Sequence, residues 1–388
     1  MKATTTCLML LASVAASPAA DAVFKRDDID ASITRGVDFL TSTQKPGGEW
    51  GGPTRTKGIN IYAPLPGAHH AFLAGSTALA LCGMLDSQDN RPEAQAAITR
   101  GADWVGRELP KLRRADTTTT YNIWGHAYGL RALSRLYKNE TTQEGREKWA
   151  AIARQQIDLA KRYEDVNGGW SYLDLFDEVA TRRPSGITTS FTTATMLLGM
   201  AEARDTMGVV PDPQTVRSSL DSILRQRMPD FSYTYSHEHR MAPRRAINRP
   251  AGSLARSQAC NAALRVYGDK AVTDEVIVEW ADRFLAREGW LDIGRKRPLP
   301  HETHFQISGY FYYYGIYYFT QSVALLPREK QAPYAARLAE LIVQRQEQDG
   351  SWWDFPLYDY HQPYGTGYAL MALAWCRNVL APEARAVP

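Results

Sequence analysis

Six stretches of the chain carry apolar residues three and four positions apart, the spacing of an amphipathic helix. The first, 29–44, places Ile33, Val37 and Leu40 on one side. The others run over 94–109, 149–163, 215–227, 272–287 and 332–348. Between them lie six segments that are apolar on nearly every side, as buried helices are. Helices that alternate between half-buried and fully buried predict an all-α fold of two concentric rings, an (α/α)6 toroid of six helical hairpins.

The six more apolar segments align on a small residue, which is followed by a variable residue and usually by alanine or glycine. Small residues at equivalent positions allow neighbouring backbones to approach closely. The aligned small residues are Ser76, Gly125, Thr192, Ser257, Ser308 and Gly365. This alignment predicts that the six segments form the inner ring.

Turns that pair glycine with tryptophan mark the repeat. Their tryptophans are Trp50, Trp170, Trp290 and Trp352, separated by 120, 120 and 62 positions. A unit of about 60 residues, with the marker lost from two copies, accounts for these separations. Self-similarity at a fixed period indicates a repeat architecture rather than several unrelated domains.

Composition and charge narrow the range of partners. The chain has 388 residues, 44% of them hydrophobic, and a formal net charge of +3 from 45 basic and 42 acidic residues. No stripe of basic residues is visible, which argues against nucleic acid as a partner. The mean hydropathy is −0.38, and no apolar run approaches the roughly 20 residues that cross a bilayer. We therefore expect no stable membrane span, and the sequence does not predict an oligomeric state.

The N-terminus has the pattern of a secretory signal, with a disordered tail as the alternative. Lys2 precedes the short apolar stretch 7–16, and small residues follow. This pattern predicts a signal peptide over 1–22 and a periplasmic or secreted protein. The toroid domain is expected over 23–380 and a disordered tail over 381–388. Of the four cysteines, Cys82, Cys260 and Cys376 would remain as buried apolar side chains, with one disulfide possible.

Histidines and acids concentrate in the polar loops that lead into the inner helices. Because every such loop enters an inner helix at its N-terminus, all should meet at one end of the ring. Histidine can shuttle protons near neutral pH, although loops also hold solvated histidines without a function. The candidates for acid–base catalysis here are Asp354, Asp359 and His361. The candidates for substrate binding are His70, His301 and His304. No motif fixes a metal geometry, so no metal is predicted.

Further candidates lie on the inner helices themselves. His126 fills a variable position that holds threonine in three other units, which suggests either a catalytic group in the cavity or a hydrogen-bonded core histidine. Tyr121 and Trp124 stand within a turn of it. In the fifth inner helix, Tyr310 and Tyr314 share a face that either lines the axis or packs against the outer ring.

Arg256 belongs to a group of arginines just before and at the start of the fourth inner helix. The group comprises Arg244, Arg245, Arg249 and Arg256. Arginines bind carboxylates or diphosphates with two parallel hydrogen bonds, so Arg256 is a candidate for substrate binding. The alternative is a solvated loop face whose charge is balanced by nearby acids.

The stretch 344–352, QRQEQDGSW, resembles the Q-x-x-D-G-S-W repeat of the prenyltransferase and squalene-cyclase repeat family, and 365–370 resembles the inner helix that follows it there. The resemblance implies an α/α toroid with an active cavity on its axis. The D-x-D-D acid of the class II cyclases is absent. The zinc ligands of the prenyltransferases are also missing, since Gly365 and Gln258 occupy two of their positions. The resemblance therefore implies the scaffold without its known catalysts, and no cofactor.

Three functions remain open. The first is an exported terpenoid-cyclase-like protein that binds an apolar or isoprenoid ligand in the axial cavity, with isomerase or cyclase activity to be tested. The second is a glycan-cleaving enzyme, because other α/α toroids act on glycans with aromatic platforms and paired carboxylates. The third is a binding protein without catalysis. A dry aromatic chamber would favour the first, and a groove with two facing carboxyl groups the second.

Overall fold

The structure is a computed structural model that describes residues 26–58, 66–174, 183–184 and 187–381. The predicted signal peptide over 1–22 lies outside the described residues, as does the predicted tail beyond residue 381. These two predictions are therefore not tested by the fold.

Six outer helices lie close to the stretches with the amphipathic pattern. They are α1 (Arg26–Thr43), α3 (Pro92–Glu108), α5 (Gln143–Arg162), α7 (Pro213–Gln226), α9 (Asp274–Arg287) and α12 (Arg328–Val343). The inner helices are α2 (Pro66–Ser87), α4 (Asn122–Asn139), α6 (Ser190–Met207), α8 (Leu254–Val266), α11 (Phe311–Val323) and α13 (His361–Val379). A four-residue helix, α10 (Gly289–Asp292), lies in the connection between α9 and α11.

The inner helices close into a ring. Each inner helix packs against the next one along the chain, and α13 packs against α2 to complete the circle. This closure confirms the predicted (α/α)6 toroid. Since every inner helix runs in the same direction, the barrel has two distinct ends. We call the end where the inner helices begin the mouth, and the end where they finish the floor.

Close packing of α2 against α13 depends on glycine. A Cβ on Gly83 would lie 2.9 Å from the carbonyl oxygen of Gly367. A Cβ on Gly367 would lie 2.4 Å from the carbonyl oxygen of Leu79. Contacts this short with backbone atoms exclude any side chain, so these glycines fix how near the first and last inner helices can come.

Three of the four glycine-tryptophan turns are the same structure. In each, the backbone N–H of the tryptophan donates to the hydroxyl of the threonine at the variable inner-helix position. The distance is 3.1 Å from Trp50 to Thr77 and 3.0 Å from Trp170 to Thr193. The third turn repeats this bond at 3.1 Å with Trp352 as the donor. All three indoles are fully buried. The prediction was wrong for Trp290, which lies in α10 with 39% of its surface exposed.

Helix α2 is long and apolar enough to cross a membrane by composition alone, with 72% of its most apolar window buried inside the protein. An inner helix needs this composition because it contacts other helices on every side. Cys82, Cys260 and Cys376 are likewise buried on inner helices, and each is a free thiol. Burial raises the pKa of the Cys82 and Cys260 thiols to about 12, so neither is reactive at neutral pH.

Candidate functional site

A cavity of about 140 Å³ lies on the axis in the half of the barrel near the mouth. Apart from Gly75, Ser76, Leu79 and Leu357, every residue that lines it is aromatic. The aromatic residues are Phe72, Tyr121, Trp124, Tyr128, Tyr172, Phe191, Tyr310, Phe311, Tyr314, Phe355, Tyr360, Tyr364 and Tyr368. Among the residues that the structure describes, no carboxylate, imidazole, ammonium or guanidinium group lines this cavity.

The register of the inner helices explains the lining. In four of the six units, the position immediately before the aligned small residue lines the cavity, and it holds Trp124, Phe191 and Tyr364 in units two, three and six. Arg256 and Ile307 occupy this position in units four and five and do not line the cavity. The first unit has Gly75 at this position, which leaves open space. The sequence analysis identified the small residues but not their neighbours. An aromatic residue recurring beside a small one is the signal that could have found them.

Several tyrosine hydroxyl groups of the cavity wall form hydrogen bonds with other groups of the protein. The Tyr128 and Tyr368 hydroxyls bond to each other. The Tyr314 hydroxyl donates to the Phe191 carbonyl at 3.2 Å and lies 3.1 Å from the Thr195 hydroxyl. Burial raises the pKa of all three tyrosines well above the ordinary value. These hydroxyls are therefore neutral, and they already have partners within the wall.

Asp354 is a fully buried acid directly behind the cavity wall. Its Oδ1 accepts the Tyr364 hydroxyl at 2.6 Å, and its Oδ2 accepts the Tyr313 backbone N–H at 2.9 Å. Burial raises its pKa to about 7, against the opposing effect of these two bonds. Because Tyr364 lines the cavity, the carboxyl group is connected to the cavity through a single hydroxyl.

The two other candidates from the same loop lie elsewhere. Asp359 forms a salt bridge of 3.2 Å with Lys45, and both side chains are partly exposed. His361 begins α13, where its Nδ1 lies 2.5 Å from the Tyr358 carbonyl and its ring packs edge-on against Trp353. Burial lowers the pKa of His361. Neither side chain lines the cavity, so the structure does not bring them together with Asp354.

His126 lies between an inner and an outer helix. It is fully buried, with Nδ1 at 2.8 Å from the Gln156 side-chain oxygen on α5 and Nε2 at 3.3 Å from the Asn122 amide. Burial lowers its pKa to about 4. In the units with a glycine-tryptophan turn, the threonine at the equivalent position bonds to the tryptophan. In this unit His126 stands at that position and bonds to the outer helix instead. Its predicted catalytic role stays untested.

The candidate substrate-binding residues fall into two groups. Tyr121, Trp124, Tyr310 and Tyr314 line the cavity. Arg256 does not: its side chain is buried and donates to the carbonyls of three residues. The acceptors are Tyr233 at 2.8 Å, Gly252 at 2.9 Å, and Ile247. Burial lowers the pKa of Arg256 to about 10. These bonds position the loop before α8, and the predicted role of Arg256 in substrate binding stays untested.

The candidate histidines of the loops lie around the mouth, outside the lining. His70 packs edge-on against Trp104 at 6.4 Å. His301 accepts or donates at 2.7 Å with the Gln306 carbonyl, and His304 packs against Phe305. Burial lowers the pKa of both His70 and His301. Within the described ranges, no three potential metal ligands converge on one point.

The floor of the barrel holds a network of charges that the sequence analysis did not find. We call its four members, Asp86, Arg131, Arg135 and Glu202, the floor network. Arg131 donates to Glu202 at 3.0 Å, and Arg135 bridges Glu202 and Asp86 at 2.8 Å each. Arg131 is only 1% exposed. The network joins three inner helices where they end and pairs both arginines with acids.

Comparison with known proteins identifies the fold. No model of a known protein family matches the chain, and no curated protein matches it. Among solved structures, cellobiose 2-epimerase from Spirochaeta thermophila DSM 6192 aligns with a TM-score of 0.56 at 12% identity. The alignment covers 91% of this chain and 97% of that one.

Two other similar structures have different activities in their names. The α-1,6-mannanase GH76A from Salegentibacter sp. HEL1_6 has a TM-score of 0.51 at 11% identity, covering 91% of this chain and 100% of that one. The type II terpene cyclase MstE from Scytonema has a TM-score of 0.50 at 12% identity, covering 92% and 100%. At this identity the likeness shows the α/α-toroid fold alone, because one fold supports many reactions.

Proposed function

We propose that this protein binds an apolar ligand of the isoprenoid kind in its axial cavity, and that Asp354 and Tyr364 transfer protons to and from it. The observation that carries the proposal is the aromatic lining backed by one buried acid. Membership of the prenyltransferase and squalene-cyclase repeat family is part of this proposal. It is supported by the QRQEQDGSW motif and by the repeated tryptophan turns.

The lining favours an apolar ligand over a glycan. A sugar ring needs several hydrogen-bonding groups, and glycoside hydrolysis normally uses two carboxyl groups on either side of the scissile bond. The described lining offers no carboxyl group, and several of its hydroxyls bond to other wall groups. An apolar ligand leaves no polar group unpaired in such a site, and the transfer of its apolar surface out of water is favourable.

The volume limits what the cavity holds. About 140 Å³ is close to the 150 Å³ of an engineered apolar cavity that binds benzene. It is smaller than the 300–1,000 Å³ or so of a typical drug-sized site. We infer that the cavity holds one ring or one isoprene-sized unit, and that the rest of a longer ligand extends toward the mouth.

The acid has a pKa suited to reversible proton transfer. A general acid or base works best when its pKa lies near the operating pH. When Asp354 is protonated at Oδ1, its hydrogen bond with Tyr364 runs in the reverse direction, from the carboxyl group to the Tyr364 oxygen, and the Tyr364 hydroxyl proton points to the ligand. Asp354 can then give its proton to the Tyr364 oxygen while the Tyr364 hydroxyl gives its own proton to the ligand. Asp354 is then ionised and Tyr364 is unchanged. Return of a proton from another ligand atom along the same path resets the pair, so the net change is an isomerisation.

A cavity-filling variant tests ligand binding. An ideal Cβ on Gly75 lies 3.7 Å from the Trp124 Cβ, 3.8 Å from the Trp124 carbonyl carbon and 3.9 Å from the Gly125 nitrogen, which are all ordinary contacts. Gly75→Leu should therefore fill the cavity without displacing backbone. Gly289→Leu is the matched control, because a Cβ there meets nothing within 4 Å and lies outside the cavity.

The measurement is native mass spectrometry against isoprenoid alcohols of increasing length and against linear oligosaccharides. We expect the wild type and Gly289→Leu to retain an isoprenoid alcohol and Gly75→Leu to retain none. Retention of an oligosaccharide in place of the alcohols, or unchanged binding by a folded Gly75→Leu variant, would contradict the proposed site.

Two further variants separate catalysis from binding alone. Asp354→Asn keeps the size of the side chain and an acceptor for the Tyr313 N–H but cannot carry the proton. Tyr364→Phe keeps the ring and removes the hydroxyl. Both should bind the ligand as wild type does and lose turnover by 10²-fold or more, the usual contribution of general acid–base catalysis. A protein that binds the ligand and never converts it would instead be a binding protein.

A further inference from the structure

Two of the loops at the mouth of the barrel expose four large apolar side chains. Met241 is 87% exposed, Trp290 39%, Ile293 48% and Leu299 45%. Single exposed apolar residues are common and need no explanation, whereas several on one surface indicate an interaction site. Because the outer helices end and the inner helices begin at the mouth, the connections that hold these residues all lie at that end.

The two loops meet at one tyrosine. The rings of His239 and His301 pack against Tyr235 with centroids 5.4 and 5.7 Å away. Met241 follows His239 by two residues, and Leu299 precedes His301 by two. The exposed apolar residues therefore belong to neighbouring segments of one surface.

The remaining two apolar residues continue this surface. Trp290 packs against His304 and Phe305, with ring centroids 6.2 and 4.7 Å away. Ile293 follows Trp290 by one helical turn. The second loop thus carries an apolar stretch beside its contact with the first.

The same surface carries arginines without acidic partners. Arg244, Arg245 and Arg249 are exposed, and no described carboxylate lies within 4 Å of their guanidinium groups. Glu238, the acid of this loop that lies nearest to them in the sequence, accepts a bond from the Ser236 hydroxyl instead, at 2.7 Å. Behind them, the buried Arg256 is held by carbonyls alone. Among the described residues, these three arginines therefore form no ion pair.

We call the four apolar residues and the three exposed arginines together the rim patch. We propose that the rim patch docks this protein onto a lipid surface that carries negative charge. Arginines beside exposed tryptophan, leucine and methionine are the combination that binds the interface of an anionic bilayer, since the basic groups attract the headgroups and the apolar groups enter among the acyl chains. An acidic polymer would use the arginines and leave the apolar residues in water.

The proposal does not depend on what the axial cavity binds. The rim patch lies at the mouth, so docking would turn the mouth toward the lipid. The orientation follows from two contacts. Met241 and Leu299 lie two residues from His239 and His301, whose rings pack against Tyr235. The Tyr235 ring in turn packs against the cavity residue Phe191, with centroids 5.2 Å apart.

Vesicle flotation of the full-length protein tests the proposal. The probes are vesicles of phosphatidylcholine alone and of phosphatidylcholine with about one third phosphatidylglycerol, without any cavity ligand. We expect binding to the anionic vesicles alone. The triple variant Arg244→Gln, Arg245→Gln, Arg249→Gln should bind about 100-fold more weakly, at about five-fold for each arginine near the surface. Raised salt should weaken the wild type as well.

A matched control removes three cations from the floor end. Lys138, Lys270 and Arg328 are exposed near the ends of inner helices or the start of an outer one, and their change to Gln lowers the net charge equally. This control should bind as wild type does. Equal loss in both triple variants would show that net charge alone drives binding, and would overturn the proposal.

The apolar half of the rim patch has its own test. Met241→Ser with Leu299→Ser should weaken binding several-fold, and the loss should persist at high salt because burial of apolar surface is not screened. Val210, 69% exposed at the floor end, provides the control substitution to serine. Unchanged vesicle binding in the double variant, together with tight binding of a soluble acidic polysaccharide, would assign the arginines to a polymer and overturn the lipid surface.

Discussion

The two ends of the barrel handle arginine in opposite ways. At the floor, Arg131 and Arg135 are buried or nearly so, and each bonds to a carboxylate. At the mouth, Arg244 and Arg245 are exposed with no described acid in contact, and the buried Arg256 bonds to carbonyls alone. The arginines of the floor form ion pairs within the protein, whereas these arginines of the mouth form none with the described residues.

This difference separates structure from recognition. A buried ion pair is costly to break because the remaining charge stays out of water. An exposed charge is hydrated and contributes little to stability, so its position is free to serve a partner. The floor should therefore control whether the barrel folds. The mouth should control what the barrel binds, and substitutions at the two ends should have effects of different size and kind.

The largest expected effect is the loss of the floor acid that both arginines share. Glu202→Ala removes the carboxylate bonded to Arg131 at 3.0 Å, and leaves Arg131 with neutral partners such as the Tyr317 hydroxyl. We expect a loss of about 3–5 kcal/mol in the free energy of unfolding, the usual cost of breaking a buried pair. Denaturant unfolding followed by circular dichroism measures it.

The control replaces the buried arginine at the same time. In the double variant Arg131→Met with Glu202→Gln no unpaired buried charge remains, so much of the stability should return. If Glu202→Ala costs less than about 1 kcal/mol, the range typical of an exposed pair, then the floor resembles the mouth and the comparison fails.

Asp354 near the mouth should make the protein less stable as the pH rises. Its folded pKa of about 7 lies above the ordinary value of 3.8, so the folded state holds a proton that the unfolded chain releases. The free energy of unfolding therefore falls between about pH 4 and pH 7, by roughly 4 kcal/mol from this group. Asp354→Asn should remove that fall, and chemical denaturation at a series of pH values would measure it.

His126 should act in the opposite direction over much of the same range. Its folded pKa of about 4 lies below the ordinary value of 6.5, so the unfolded chain takes up a proton first on acidification. This contribution to stability is present above about pH 6.5 and is lost as the pH falls toward 4, at roughly 3 kcal/mol in total. His126→Gln should flatten the acid side of the same curve. If both variants keep the wild-type pH profile, neither group is as buried as described.

The sequence was sufficient to predict the fold because the same pattern of apolar and small residues recurs in several repeats. Apolar spacing located the outer helices, and the aligned small residues located the inner ring. Thr77 and Thr193 show the reason, since each bonds to the tryptophan N–H of its own turn. Trp290 has a glycine before it but no such turn, and a pair of residues is too short a pattern to tell the difference.

The site was predicted only in part because its decisive contacts join distant residues. Aromatic residues beside the axis, such as Trp124 and Tyr314, could be proposed from helical spacing. The hydrogen-bond partners of Arg256 could not be predicted, because they are three backbone carbonyls that only the folded loop brings to its guanidinium group. The partnership of Asp354 with Tyr364 depends on how the last loop turns back over its helix, and no spacing rule predicts that.

The smallest expected effect is on the stability of the mouth. The triple change of Arg244, Arg245 and Arg249 to Gln should alter the free energy of unfolding by less than about 0.5 kcal/mol, as exposed substitutions usually do. A slight gain is expected, because three like charges without acidic partners repel one another across a short loop. Low salt should enlarge that gain and high salt should remove it, since exposed charges are screened beyond about 8 Å at physiological ionic strength. The triple variant and Glu202→Ala should be measured under the same conditions. A loss of several kcal/mol in the free energy of unfolding of the triple variant would mean that the rim arginines support the fold as the floor arginines do. These arginines would then have a structural role, and the contrast between the two ends would fail.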